Sequence, residues 1–288
     1  MSATTPVAPV SSLKPLPTEL DVHGLTHVGR VRQTNADHFM VASFYRAMRV
    51  HASNLTTADE TVLSRDSRGY LLLVADGVGA LVNAPDGSAK AAEAISQSLL
   101  QMGEISHAGD PEREARMKQR LCDFIKDAHD ALVVYGHEEG GAAATTITCA
   151  LALWPRVFIA HVGDSRCYRF RDGLLERMTT DQTMAQAMID AGVVQPGSVE
   201  AARLGNVLIS ALGGSEVDIQ VHSHELRRTD RWLLCTDGLT KHVSEPELAE
   251  VVGGTRPASE MCHHLRDLAL ERGGEDNITI VIGRLKEN

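Results

Sequence analysis

The sequence has no tract of clustered lysine and arginine, and its formal net charge is −10. Nucleic acid and anionic membrane surfaces are therefore poor partners, because both hold proteins through concentrated positive charge. No apolar run approaches the roughly 20 residues that a membrane-spanning helix needs. The first residues lack the basic start and apolar stretch of a secretory signal. Five cysteines, Cys122, Cys149, Cys167, Cys235 and Cys262, are scattered, odd in number and form no C-x-x-C pair. That pattern argues against a disulfide framework, and all five read as reduced thiols. Cys149, Cys167 and Cys235 lie in or beside apolar runs, where cysteine behaves as a small hydrophobe. A soluble, cytoplasmic protein is expected.

What remains is the profile of a globular chain: 288 residues, 43% hydrophobic and 23% charged. Residues 1–20 hold four prolines and many serines and threonines, and read as a flexible leader. Residues 21–288 show no long linker and no internal repeat, so one compact domain is the simplest organisation. The surplus of carboxylates suits hard cations such as Mg²⁺ or Mn²⁺, and suits an ordinary acidic protein equally well.

Apolar runs predict strands over Tyr70–Ala75, Thr145–Leu153, Arg156–Val162, Arg166–Phe170, Val217–His224, Trp232–Cys235 and Ile278–Leu285. Spacing near 3.6 predicts helices over Ser88–Met102, Glu112–Tyr135, Asp181–Ala191, Glu247–Val252 and Ser259–Arg272, with Asp181 as an N-cap. Several strand–strand connections are too short for a helical crossover. Antiparallel sheets with helices on their faces follow, an α+β arrangement.

Five aspartates stand at strand ends or beside glycine: Asp37, Asp76, Asp164, Asp237 and Asp276. An isolated Asp-Gly is first of all a turn, as Asp86-Gly87 and Asp172-Gly173 illustrate. Asp76-Gly77 and Asp237-Gly238 differ, because each directly follows a buried-looking strand. A rigid strand end fixes a carboxylate where core meets solvent, and the glycine lets a ligand approach closely.

The segments around these residues carry a family resemblance. Gly29-Arg30-Val31-Arg32-Gln33-Thr34-Asn35-Ala36-Asp37 resembles the opening motif of the type 2C metal-dependent protein phosphatases. Val74-Ala75-Asp76-Gly77-Val78-Gly79 and Ala144-Thr145-Thr146 resemble the next two motifs. His161-Val162-Gly163-Asp164-Ser165-Arg166 is similar to the bacterial pattern. Thr179-Thr180-Asp181-Gln182 and Ser210-Ala211-Leu212-Gly213 resemble the segments bounding the family's flap, here about residues 182–205. Leu234-Cys235-Thr236-Asp237-Gly238-Leu239 and Gly274-Glu275-Asp276-Asn277-Ile278-Thr279 complete the set. The motifs occur in family order between residues 22 and 285. Each is weak alone; the ordered set is specific.

The resemblance implies a four-layer α-β-β-α sandwich of two antiparallel sheets flanked by helices. It implies a serine/threonine protein phosphatase that hydrolyses phosphoserine and phosphothreonine with water activated at two divalent ions, Mg²⁺ or Mn²⁺. Asp76 would bridge both ions, with the Gly77 carbonyl on the second. Asp237 and Asp276 would hold the first ion, and Asp37 would act near the second through water. Arg32 matches the phosphate-binding arginine, and Asp164 a residue beside a weaker third ion. Implied partners are phosphorylated proteins and the Ser/Thr kinase that modifies them, with the phosphatase acting as a monomer. The alternative is a pseudophosphatase that binds and regulates partner proteins with weak or no turnover.

Four positions depart from the pattern. Ala36 stands where the family usually has Glu, Val78 where it has Met or His, and Lys241 where an acidic or polar residue is frequent. The outer ligand shell is accordingly thinner than usual. Ala80 also replaces a frequent glycine. Among thirteen histidines, His222 and His224 share a strand face and His263-His264 point apart on a helix. A structural zinc site needs four ligands, and these supply no third. His161 reads as a strand residue rather than a catalyst.

Overall fold

The computed structural model describes residues 14–44, 48–53, 69–78, 83–102 and 110–286, with only the backbone described over 48–53. Most of the expected leader, and Gly79 and Ala80, lie outside the described residues.

Eleven strands form two sheets in the described residues. The first contains β1 (Leu20–His27), β7 (Arg166–Arg171), β8 (Leu174–Arg177), β10 (Arg231–Cys235) and β11 (Ile278–Leu285), in the order β1-β11-β10-β7-β8. The second contains β2 (Asp37–Phe44), β3 (Met48–Ser53), β4 (Gly69–Asp76), β5 (Ile147–Leu153), β6 (Arg156–Val162) and β9 (Gln220–Glu225), in the order β3-β2-β4-β5-β6-β9. Every pairing is antiparallel, as the short connections required. Trp154 and Pro155 turn β5 directly into β6, the expected hairpin.

Helices cover both outer faces. The 28-residue α2 (Pro111–Glu138) and α1 (Ala84–Gln101) pack on the second sheet. Their buried stripe of Ala91, Ile95, Leu99, Leu121, Ile125 and Leu132 meets Leu71, Leu73, Ile147 and Leu151. On the first sheet, α6 (Glu245–Gly253) and α7 (Ala258–Glu271) bury Leu248, Val252, Met261 and Leu265 against Leu233, Ile280 and Ile282. Between the sheets lies a third core of Phe39, Val41, Val74, Ile159, Leu234 and Val281. Fully burying one such side chain stabilises the fold by roughly 1.5–3 kcal/mol, which is why the alternating faces fix the register. The layers run α-β-β-α, as expected.

The elements around the 182–225 region differ from the sequence reading. The helix expected from Asp181 is α3 (Met184–Asp190), capped instead by Thr183, whose hydroxyl accepts from the Gln186 N–H. Asp181 is held by Arg166, which donates to both carboxylate oxygens at 2.9 and 2.6 Å. A second short helix, α4 (Val199–Leu204), follows it, capped by Ser198. The strand expected from Val217 begins at Gln220.

The chain crosses between sheets at one end of the sandwich. Residues 28–36 join β1 to β2, and residues 163–165 join β6 to β7. The end of β4, the end of β10 and the start of β11 lie at the same end, so all five marked aspartates fall there.

Candidate metal centre

Asp37 opens β2 and Asp76 closes β4, directly opposite one another in the register. Asp37 is fully buried. Its Oδ2 accepts hydrogen bonds from the Thr236 hydroxyl at 2.8 Å and the Thr279 hydroxyl at 2.7 Å. Both threonines belong to the other sheet's segment, so this carboxylate ties the two sheets together. The Asp76 backbone is held as firmly: its carbonyl accepts from the Thr145 hydroxyl and the Thr146 N–H at 2.8 Å each. Its N–H donates to the Thr146 hydroxyl. Gly77 follows, buried, with its N–H on the Ala36 carbonyl. A Cβ there would sit 2.4 Å from the Ala84 carbonyl oxygen, so only glycine fits.

Asp237 is the first residue of α5 (Asp237–Thr240), reached straight from β10. Its Oδ1 is buried without a hydrogen-bond partner. Asp276 precedes β11. Its Oδ2 accepts from Arg32 Nη2 at 3.1 Å, and its Oδ1 lies 2.8 Å from Arg32 Nε and accepts from the Asn277 N–H at 3.0 Å. Asp164 lies in the turn after β6 and is only 8% exposed. Neighbouring Gly163, at φ 106, has Thr146 where a Cβ would go.

The carboxylates perturb each other. Burial raises Asp76 well above the usual carboxylate range, and the charges of Asp37, Asp237, Asp164 and Asp276 add to it. Asp76 is therefore the hub of the cluster. Burial lifts Asp37 to about 7, against the pull of its two threonines. Burial and then Asp237 lift Asp164 to about 8. Burial also raises Asp237, though Lys241 opposes it. For Asp276 burial works upward, but the Arg32 bond and Lys241 prevail and hold it below its ordinary value.

Two cationic side chains stand among these carboxylates. Lys241 Nζ lies 2.6 Å from Asp237 Oδ2 and 3.0 Å from Asp276 Oδ2. Arg32, 45% exposed, closes on Asp276 from the solvent side. As they stand, no three carboxylates, thiols or imidazoles among the described residues close on one point at ligating distance. The donor set is nevertheless all oxygen, mutually repelling and carried on strand ends. With one buried carboxylate oxygen lacking any donor, the residues fit hard divalent cations.

The shifts set an expected pH dependence for the metal-free protein. A carboxylate whose folded pKa is raised contributes stability that is complete below its unfolded value and is lost as pH rises through the folded one. With an unfolded value of 3.8 and folded values of about 7 for Asp37 and about 8 for Asp164, that loss runs from about pH 4 to about pH 8 and is flat above it. Thermal melts in EDTA should show Tm falling across this window, and Mn²⁺ should flatten the slope. A metal-free Tm that climbs from about pH 5 to 8 would contradict the placement of these groups.

All five aspartates, Arg32 and Gly77 are brought to this end of the sandwich. Sequence reasoning gives no role to three supports. Asn277 accepts the Ala36 N–H and donates to the carbonyls of Val28 and Thr34, fastening the whole 28–36 crossing to β11. Thr236 and Thr279 are buried hydroxyls bonded to Asp37. The available signal is a polar residue close to a marked aspartate at the edge of an apolar strand. His161 is buried and hydrogen-bonded to Thr148 and to the Thr180 carbonyl, a packing role.

An α-β-β-α sandwich that gathers oxygen donors from both sheets at one end suits the binding of hard cations. The chain belongs to the protein phosphatase 2C family, whose model, described as "Protein phosphatase 2C", matches residues 49–269. The serine/threonine protein phosphatase PstP of Mycobacterium tuberculosis is 34% identical over 214 residues, 74% of this chain and 40% of that protein. The chain thus matches well under half the length of that relative. The serine/threonine phosphatase stp of Listeria monocytogenes is 28% identical over 215 residues, covering 74% of this chain and 83% of that protein. Among solved structures, the catalytic domain of PstP in complex with two manganese ions superposes with a TM-score of 0.68 at 27% identity. That match covers 93% of this chain and 99% of that one.

Proposed function

We propose that the chain is a metal-dependent serine/threonine protein phosphatase. The observation that carries this reading is Asp76, fixed at the junction of both sheets with four other carboxylates acting on it. The phosphatase activities for which the mycobacterial and Listeria relatives are named, and the manganese pair in the PstP structure, support it. Asp76, the Gly77 carbonyl, Asp237 and Asp276 would hold two Mg²⁺ or Mn²⁺ ions, with Asp37 acting on them through water and Asp164 beside a weaker third. Bound there, such ions lower the pKa of water and neutralise phosphoryl oxygens. The chain's own residues do the rest. Arg32 offers its guanidinium to the phosphate from the open side, and the threonine bonds keep Asp37 immobile. Hydrolysis joins the oxygen of water to phosphorus and breaks the phosphorus–oxygen bond to the serine or threonine, whose oxygen takes a proton that the water gives up.

Substrates would be phosphorylated proteins made by a Ser/Thr kinase, met in the cytoplasm, where the free thiols stay reduced. No helix of the described residues is long and apolar enough to cross a membrane. The segment about 182–205, carrying α3 and α4, is the flap beside the site. Gln182 anchors its start: its N–H donates to the Gly163 carbonyl and its Oε1 accepts the Gly163 N–H, both at 2.8 Å.

The test is phosphate release from a phosphothreonine peptide with Mn²⁺ against EDTA; no metal-dependent release at any Mn²⁺ concentration ends the proposal. Within it, Arg32→Ala should raise KM for the peptide by about tenfold, the worth of one charged hydrogen bond to a substrate oxygen. An unchanged KM would remove Arg32 from the substrate site.

A further inference from the structure

We infer that Lys241 is a resident cation of the carboxylate centre, and that the first divalent ion binds by displacing its ammonium group. The inference rests on the metal-dependent reading above and concerns what stands at the site before metal arrives.

Lys241 follows α5 by one residue, four positions after Asp237. That spacing returns a lysine side chain over the residue one turn earlier. The backbone is pinned, with the Lys241 N–H donating to the Asp237 carbonyl at 2.9 Å. The head group then spans two carboxylates from different segments, 2.6 Å from Asp237 Oδ2 and 3.0 Å from Asp276 Oδ2. These are the two side chains assigned to the first ion. At these distances the ammonium occupies the oxygens a metal would take.

The substitution is incomplete. An ammonium carries one charge and satisfies one oxygen on each carboxylate, and Asp237 Oδ1 is left buried without a donor. A divalent ion outcompetes it on charge, at the cost of the two lysine contacts. The displaced head group has somewhere to go. A pocket of about 280 Å³ beside it is lined by Asp164, Asp181, Thr240 and Lys241 itself. Asp181 there is already paired with Arg166 and Arg177, which line the same pocket, so Asp164 is the carboxyl group that can receive the ammonium without its leaving the site. Lys241 would thus keep the metal-free fold from flying apart electrostatically and make occupancy of the first position depend on Mn²⁺ or Mg²⁺ supply.

Titration calorimetry of Mn²⁺ into EDTA-stripped, dialysed protein tests this, with melts of both forms. Lys241→Gln should bind Mn²⁺ about tenfold tighter, the scale on which groups around a metal site alter affinity. Its metal-free Tm should fall below the parent's, while the Mn²⁺-loaded Tm should not. Lys241→Arg, which keeps the charge, should bind no tighter than the parent. Equal affinity in Lys241→Gln and parent overturns the inference, as does tightening of the same size in both variants. Absence of Mn²⁺ binding in the parent and in Lys241→Gln alike points elsewhere: it sinks the metal-dependent reading itself.

Discussion

Asp237→Asn should hydrolyse a phosphothreonine peptide about 100-fold more slowly than the parent at moderate Mn²⁺. The substitution changes the chemistry of one terminal atom and almost no shape. It removes the negative charge from a side chain reached directly from β10, whose Oδ1 is buried with no donor. A metal ion acting as Lewis acid stabilises the transition state by several kcal/mol, and each ~1.36 kcal/mol is tenfold in rate, so weakening one position costs about two decades. Stability provides the control. Burial raises Asp237 above the ordinary carboxylate range despite Lys241. The metal-free fold therefore disfavours the charge, and Asn should leave the EDTA Tm unchanged or higher near pH 8. The rise in Tm on adding Mn²⁺ should shrink. A parent-like rate in Asp237→Asn would sink the two-ion reading. A parent that binds phosphopeptide without turnover would instead support the pseudophosphatase alternative.

The ordered motifs make the site visible before the fold, because five of them place an aspartate beside a strand end or a glycine. The layers are visible in part. Runs such as Arg156–Val162 and Ile278–Leu285 are apolar enough to declare themselves strands, and both match the structure. The first strand is different. Leu20–His27 holds Asp21, His23, Gly24 and His27, a composition that suits a loop, and it becomes a strand because β11 offers eight residues of continuous antiparallel partner. The adjoining Asp37–Phe44 stands out in the sequence only for its aspartate, since buried neighbours on both faces erase the alternation that marks a half-exposed strand. Asp181 shows tertiary structure overriding a local rule: a good capping residue gives way to Thr183 once Arg166, fifteen positions earlier, claims its carboxylate. Lys241 is legible only as a departure from the family pattern. That its ammonium lies between Asp237 and Asp276 follows from the turn geometry of α5 and from the 276 segment folding back from the far end of the chain.

The same closeness of two distant segments makes Gly238→Ala a damaging small substitution at the site. Gly238 is buried in the first turn of α5 and carries no positive φ, so glycine is present there for space rather than for conformation. An added Cβ would lie 1.9 Å from the Asn277 carbonyl oxygen and 3.5 Å from the Asp276 Cβ. A backbone oxygen cannot rotate aside as a side chain can. The 237–238 turn and the 276–277 segment must therefore separate, and Asn277 cannot follow without loosening its bonds to Val28, Thr34 and Ala36. Overpacking of this kind costs about 1–3 kcal/mol, which at this size lowers Tm by roughly 2–12 °C. Because the separation is between the two carboxylates assigned to the first ion, Mn²⁺ affinity should fall along with Tm. Gly173→Ala separates the two effects. Gly173 has φ 81 and nothing within 4 Å of an added Cβ, so alanine there strains only an exposed turn. Melts and Mn²⁺ titrations of both variants should show a modest Tm loss with parent-like affinity for Gly173→Ala, and loss of both for Gly238→Ala. Unaltered Mn²⁺ affinity in Gly238→Ala would mean that the spacing of Asp237 and Asp276 does not govern the centre.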